Sequence, residues 1–351
     1  MDHWLKRTLG VAHPIIQAPM AGVSSPAMAA AVTNAGGMGS LGVGAMSAES
    51  ARAAIHETRA LTDGPFNINV FCHASAERDE NTEAAWLEAM APVFQRFGTA
   101  PPKALAEIYD SFLTNAAMQE MLVEEAPAVV SFHFGLPEAK VVAALKSKGC
   151  LLFASATSVA EAQACQAVGV DAIVAQGIEA GGHRGIFDPA GSDDQLSTLE
   201  LVAQIAAAID IPLIAAGGIM TGADVSRTLA LGASAAQLGT AFIACDESLA
   251  DPAYRAALRY PDAHPATLTA AVSGRPARCL RNGYIHWTES TRATVPAYPV
   301  AYDAAKALAA AAKAAGTSGF GAQWSGAGGL QARDGSAEDI MAWLVNGMQS
   351  T

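Results

Sequence analysis

The sequence predicts an α/β fold, a (β/α)8 TIM barrel with a helical, aromatic-rich lid inserted at the C-terminal face of its strands. Eight short apolar runs recur along residues 1–245, and small-residue turns and capped helices alternate with them. The two stretches that interrupt this alternation each follow an apolar run, so both leave from the same end of the strands.

Taken in order, Pro14–Pro19 (PIIQAP) is the first run. Ser24, Ser25 and Pro26 then open a helix, because a hydroxyl accepts from an orphan N–H and proline's missing donor is no loss in the first turn. Gly36–Gly37 ends that helix. GMGSLG (37–42), FNINVF (66–71), AVVSFHF (128–134) and LLFAS (151–155) are the second to fifth runs. Ser158 and Glu161 have capping-box spacing and open a helix that stops at Gly169. AIVAQG (172–177) is the sixth run, and Ser197 with Glu200 repeats the capping box before a helix ending near Asp210. PLIAAGG (212–218) is the seventh run; Thr221 and Asp224 start a helix closed by Gly232; AAQLGT (235–240) is the eighth. Strands joined by helical crossovers run parallel and are buried on both faces, and eight of them close into a barrel.

Two connections exceed ordinary loop length. Residues 74–127 hold two or three helical patterns. Residues 246–300 carry Pro252, Pro261, Pro265, Pro276 and Pro296 together with Tyr254, Tyr260, Tyr284, Trp287 and Tyr298. Both are expected to cover the mouth where barrel active sites lie. The division is therefore a barrel over 1–245 with an insertion at 74–127, a substrate or lid domain over 246–300, and C-terminal helices over 301–351. Within the last part, helices are expected from about Tyr302 to Ala315 and from Ser336 to Gly347, with a glycine-rich loop, 316–329, of no evident purpose between them.

Composition narrows the function. Of 351 residues, 51% are hydrophobic and only 15% charged, so the chain buries a large core and is not disordered on any large scale. A net charge of −12 excludes the phosphate-backbone binding that needs clustered Lys and Arg. Five cysteines without a CxxC pair suit a reducing compartment. The opening MDHWLKRTLG lacks an apolar leader core, and no apolar run is long and unbroken enough to span a bilayer, so a cytoplasmic enzyme is expected. His3, His13, His56, His73, His264 and His286 show no metal-ligand spacing, and no metal is expected.

Gly37, Gly39 and Gly42 spell GxGxxG, but a helix precedes them and a strand overlaps them, the reverse of the dinucleotide arrangement; the choice lies between that and packing glycines. Gly217 and Gly218 end the seventh run, and Gly239 and Thr240 the eighth. Glycines there either let backbone N–H groups approach a phosphate or simply make tight turns. AQGIEAGGHRG (175–185) follows the sixth run: Gln176 offers an amide, Gly181 and Gly182 let the chain pass flat against a ligand, and His183 sits on a loop at the barrel mouth. A lone histidine is often structural; one behind two glycines after a barrel strand is a catalytic candidate. His133 near the end of the fourth run either points into the mouth or packs, and Asp188, Asp193 and Asp194 are read as solvating the loop.

QAPMAGVSSP (17–26), FNINVF (66–71), AQGIEAGGHRG (175–185) and IAAGGIMTGADV (214–225), as an ordered set, resemble the nitronate monooxygenases, bacterial class I type. The resemblance implies FMN. Met20, Ala21 and Gly22 would lie beside the flavin, Asn69 and Gln176 would hydrogen-bond it, and Gly181 and Gly182 would face it. Gly217, Gly218, Gln237, Gly239 and Thr240 would surround its phosphate. It implies His183 as the catalytic histidine, at least partly protonated, and Tyr298, Tyr302 and Lys306 as an aromatic and basic wall around substrate, with Tyr109, Tyr254 and His133 beside it. Tyr302 and Lys306, four apart, equally suit an ordinary helix surface. The implied reaction is oxidation of an alkyl nitronate, propionate 3-nitronate being one candidate, by O2 through a flavin semiquinone to a carbonyl compound and nitrite. An NAD(P)H-dependent flavin reductase of the enoyl-ACP or quinone type shares the Gly-Gly-His core, although a glutamate is usual there where Gln176 stands. A flavin-binding protein without turnover and an unrelated phosphate-binding barrel are the remaining alternatives.

Overall fold

The computed structural model describes residues 3–260 and 264–349; Pro261 and the first two residues of the opening segment lie outside them. The strands are β1 (Ile15–Gln17), β2 (Ser40–Gly42), β3 (Asn67–Phe71), β4 (Val129–His133), β5 (Leu151–Ala156), β6 (Ala172–Gln176), β7 (Gly182–His183), β8 (Leu213–Ala216), β9 (Ala235–Leu238), β10 (Ala266–Thr269) and β11 (Ala277–Leu280). The helices are α1 (Trp4–Leu9), α2 (Pro26–Asn34), α3 (Ala48–Leu61), α4 (Glu80–Arg96), α5 (Ala116–Glu125), α6 (Ala139–Ser147), α7 (Val159–Val168), α8 (Thr198–Ala206), α9 (Gly222–Ala230), α10 (Pro252–Leu258), α11 (Gly283–Ser290), α12 (Val300–Ala314) and α13 (Ala337–Gln349).

Eight parallel strands lie in the order β1-β9-β8-β6-β5-β4-β3-β2, and a parallel bridge between Ile16 and Met38 joins β1 to the start of β2. The eight apolar runs are these eight strands, and the ring is closed. Alternation along each strand divides the core. Ile16, Val129, Phe153, Ala172, Val174, Ile214 and Ala235 fill the barrel interior, while their neighbours Ile15, Val130, Leu152, Ile173, Leu213 and Ala236 pack outward against the helices. Helix α1, not anticipated from the sequence, brings Leu5 under this interior and sets Trp4 5.7 Å from Phe153.

The caps follow the sequence closely. Ser25 caps α2 with Pro26 in the first turn, and Ser197–Glu200 and Thr221–Asp224 form reciprocal capping boxes. Ser158 accepts from Glu161 N, but the Glu161 carboxylate turns away to Thr157 and to Phe187 N, 2.7 Å, so that box is half made. Helix α8 stops at Ala206, short of Asp210. In the GxGxxG segment a Cβ on Gly39 would sit 2.0 Å from Ala29 O, so these glycines let α2 close on the strands.

The two long segments build one structure. Trp86, Met90 and Phe94 of α4 share a core with Tyr284 and Ile285 of α11 and with Val300, Ala304 and Leu308 of α12. Beside it, β10-β11-β7 form a small antiparallel sheet. Among the described residues no helix is long and apolar enough to cross a membrane.

The close approach at Gly39 has a measurable consequence. Gly39→Ala must push α2 off β2, and urea unfolding is expected to show a loss of about 3 kcal/mol or insoluble expression.

Candidate active site

A cavity of about 470 Å³ lies at the C-terminal ends of the barrel strands, within the roughly 300–1,000 Å³ usual for small-molecule sites. Its inner wall follows from strand parity. Two residues beyond each apolar interior position the same face turns polar: Val129 leads to Ser131 and His133, Phe153 to Ser155, Val174 to Gln176, and Ala235 to Gln237, and Asn69 joins them from β3. Asn69 donates to Ser131 Oγ at 2.9 Å, and His133 pairs with Ser155 Oγ at 2.8 Å, so the buried polar ring is largely internally bonded. His133 therefore points into the mouth.

Every residue that the sequence or the resemblance assigned to cofactor, catalysis or substrate borders this cavity. Met20, Ala21 and Gly22 come from the turn after β1; Gly217 and Gly218 follow β8; Gly239 and Thr240 follow β9. Tyr109 belongs to the 74–127 insertion, Tyr254 to α10, Tyr298 to the approach to α12, and Tyr302 and Lys306 to α12 itself. The helix-surface alternative for Tyr302 and Lys306 is thus set aside: Lys306 Nζ donates to Tyr109 Oη at 3.0 Å and lies 5.8 Å from the Tyr302 ring centre. The Tyr298 hydroxyl is buried without a hydrogen-bond partner.

His183 is more constrained than a loop residue. It forms the two-residue strand β7, registered against Ala277 of β11, and Arg184 N donates to Pro276 O at 2.8 Å. Gln176 spans the turn, donating to His183 O at 3.0 Å and accepting from Gly185 N at 2.7 Å. Arg184, 3% exposed, donates to Gln176 O and binds both carboxylate oxygens of Asp193, each at 2.8 Å. Asp193 is therefore a half-buried anchor of the loop, where the sequence suggested a solvated carboxylate. The imidazole Nε2 meets Ser273 Oγ at 2.8 Å, and Ser273 donates to Arg275 O at 3.3 Å. Directing the serine proton there would place the imidazole hydrogen on Nε2 and leave Nδ1 its lone pair. Phe134 at 5.6 Å, Tyr298 at 5.4 Å and Trp324 at 4.9 Å surround the ring.

Burial pushes His183 down to about 3, with His133, Arg275 and His73 adding repulsion. His133 falls to about 4, mainly by burial and against the hydrogen bond it gives to the His183 carbonyl, which raises it; His73 also falls to about 4, by burial and then Arg275. In the ligand-free site these shifts favour neutral imidazoles, so the partly protonated His183 expected beside an anion would need that anion to raise it.

The sequence reading passed over Arg184, Ser273, Arg275, Phe134 and Trp324. Arg184 stood inside the key motif, directly after His183. Trp324 stood in the glycine-rich segment 316–329, whose purpose is now visible. Gly326 N donates to Thr240 Oγ1 at 2.9 Å, Ala327 N to Glu179 O at 2.9 Å, and Trp324 O accepts from the Tyr254 hydroxyl, so this loop is one wall of the cavity.

The residues fit a flavin. Gly22 and Gly182 hold φ of +76° and +75° at the cavity wall, and a Cβ on Gly22 would meet nothing within 4 Å, leaving open space for a flat ligand. Amides from Asn69, Gln176 and Gln237 face the same space as the glycines after β8 and β9. Among the described residues no group of three or more His, Cys, Asp or Glu is placed to hold a metal ion.

The three neutral histidines make stability depend on pH. Each binds its proton less well folded than unfolded, so the unfolded state carries more protons between pH 6.5 and about 4. Stability is full above pH 6.5 and falls as pH drops, by up to about 1.4 kcal/mol per pH unit for each group. Urea unfolding of the cofactor-free protein at pH 7.5, 6 and 5 checks the slope.

Residues 3–347 match the family described as nitronate monooxygenase. A nitronate monooxygenase of Paraburkholderia phytofirmans is 57% identical over 337 residues, covering 96% of this chain and 92% of its own. One of Pseudomonas aeruginosa is 49% identical, covering 97% of both. Among solved structures, a nitroalkane oxidase from Streptomyces ansochromogenes superposes with a TM-score of 0.90 at 38% identity, covering 99% of this chain and 98% of that one. FabK from Thermotoga maritima gives 0.76 at 27%, covering 100% and 97%. With the family matched along nearly its whole length, the chain belongs to the nitronate monooxygenase family of oxidoreductases.

Proposed function

We propose that the flavin implied by this family is FMN, and that the protein oxidises alkyl nitronates with O2 to a carbonyl compound and nitrite, propionate 3-nitronate being the leading substrate. The observation that carries this reading is a cavity that presents the neutral imidazoles of His183 and His133 and the Lys306 side chain to the same space, with glycines after β8 and β9 suited to a phosphate. When bound, FMN supplies the exchange of electrons with O2.

The chain's own residues supply position, charge and proton control. Gly217, Gly218, Gly239 and Thr240 would hold the phosphate, Asn69, Gln176 and Gln237 the polar edges of the flavin, and Met20, Ala21, Gly22, Gly181 and Gly182 its flat faces. His183 is the proposed catalytic residue. A neutral nitroalkane would lose its α-proton to Nδ1, which the Ser273 contact leaves as acceptor. An anionic nitronate beside the ring raises its proton affinity, so imidazolium forms with substrate bound and steadies the negative charge. Lys306, supported by Tyr109 and Tyr302, is placed to meet a carboxylate on the substrate, and the unpartnered Tyr298 hydroxyl offers a further donor. His133 and Tyr254 complete this substrate wall. The segment 246–300 with 74–127 excludes water from the site. Five free, buried thiols support a cytoplasmic setting.

Purified protein is expected to be yellow and to release FMN on denaturation; colourless protein that cannot be reconstituted would overturn the cofactor. In the same preparation, His183→Asn should keep FMN while slowing oxidation of neutral nitroalkanes by about 10²–10⁴-fold, and unchanged nitrite release would remove His183 from the chemistry. Lys306→Met should raise KM for propionate 3-nitronate about tenfold and leave that for ethylnitronate within about twofold, because only the first carries a carboxylate. Equal effects on both would argue against a carboxylate contact.

A further inference from the structure

Arg275 precedes β11 and is a cation to which the proposed chemistry assigns no part. It is 3% exposed, and its Nε is buried without a hydrogen-bond partner. Its described partners are the carbonyls of Ile186 and Phe187, the latter at 3.3 Å, and the face of the Phe134 ring, 4.3 Å from the guanidinium carbon. None of these is an anion. A charge buried without a counter-ion is strongly unfavourable, so its retention beside a site calls for a purpose.

The ring it covers leads to the site. Phe134 borders the cavity, holds a left-handed backbone at φ +74°, and stands edge-on to His183 with centres 5.6 Å apart and planes at 87°. The charged and titratable groups around Arg275 come from several elements. Glu161 on α7 and Asp188 in the loop after β7 act on it from a distance, Glu161 being turned to Phe187 N at 2.7 Å. Tyr298 faces it from the approach to α12, while His183, His133 and His73 lie within its field and are neutral. Arg184, the other buried guanidinium of the loop, is cancelled by Asp193.

We infer that Arg275 is a positioning residue: its unneutralised guanidinium, seated behind Phe134, gives the His183 side of the cavity a positive potential that draws an anionic substrate to it. A charge one ring removed from the ligand acts through a low-dielectric wall and is weakly screened by salt. It also reinforces the burial that keeps the neighbouring imidazoles unprotonated until an anion arrives, so proton uptake at His183 is coupled to anion binding. The inference rests on the nitronate reading only for the identity of the anion.

The test compares Arg275→Gln and Arg275→Lys with the wild type, each as the flavin-loaded enzyme, by NMR of isotope-labelled imidazoles and by steady-state kinetics with ethylnitronate. In Arg275→Gln the His183 titration should move up by about one pH unit or more. KM at pH 7.5 should rise about tenfold with a smaller change in kcat, while Arg275→Lys stays near the wild type in both readouts. An unmoved His183 titration in Arg275→Gln, or an Arg275→Lys variant as impaired as Arg275→Gln, overturns the inference. A merely structural arginine would not shift the imidazole titration upward and be rescued by lysine. If Arg275→Gln does not fold, Arg275→Lys decides alone. Its KM must climb as pH passes the titration of the buried ammonium while the wild type stays flat, and a flat KM in the variant overturns the inference. Absence of nitronate turnover in the wild type defeats the substrate reading, whereas the imidazole titration judges this one separately.

Discussion

The site depends on the pairing of β7 with β11. Two residues, Gly182 and His183, are held by a strand from a segment nearly a hundred positions further along the chain, and everything the imidazole does follows from that register. Without it, a turn with two adjacent glycines would leave His183 free to rotate out of the mouth. Pairing fixes the backbone, Gln176 clamps it from the barrel side, and Ser273 fixes the ring from the cover side. The loop is thus rigid although its sequence is among the most flexible in the chain.

A second constraint is the change of character along the barrel interior. The lower layers are apolar and sealed by α1, while the upper layer is a ring of amides, hydroxyls and an imidazole that bond one another. Such a ring tolerates burial because few of its members are left unpaired. Burial within it favours neutral histidines: desolvation dominates each shift, and the nearby arginine reinforces it. A neutral imidazole suits a family that handles nitronates, since it can accept a proton when a substrate brings the charge.

The cover is a shared structure. The insertion after β3 and the segment after β9 pack on each other through α4, α11 and α12, and only jointly bring Tyr109 against Lys306 and Trp324 against His183. The proposed substrate wall is therefore assembled from residues far apart in sequence on a rigid barrel, the common division of labour in this architecture.

The barrel was legible in the sequence because each strand and helix carries local signals: apolar runs of strand length, capping residues at fixed spacing, and glycines at the stops. The glycines after β8 and β9 and the loop of Gln176 and His183 were legible for the same reason, since the C-terminal end of a barrel strand is a defined place, whereas Met20, Asn69 and the tyrosine and lysine wall were named only through the family resemblance. What no local signal could give was partnership at a distance. Nothing in GGHRG announces that Ala277 pairs with His183, that Asp193 belongs to Arg184, or that Arg275 lies behind Phe134. The glycine-rich segment 316–329 read as featureless because glycine has no side chain to pattern; its function came from backbone N–H groups meeting Thr240 and Glu179. The charge state of His183 was also beyond sequence, because a pKa is set by what surrounds a group in space. The chain alone determined the fold and the place of the site through periodicity and capping; tertiary packing decided the imidazole's orientation, its neutrality and the walls around it, because those depend on contacts between segments that are only neighbours once folded.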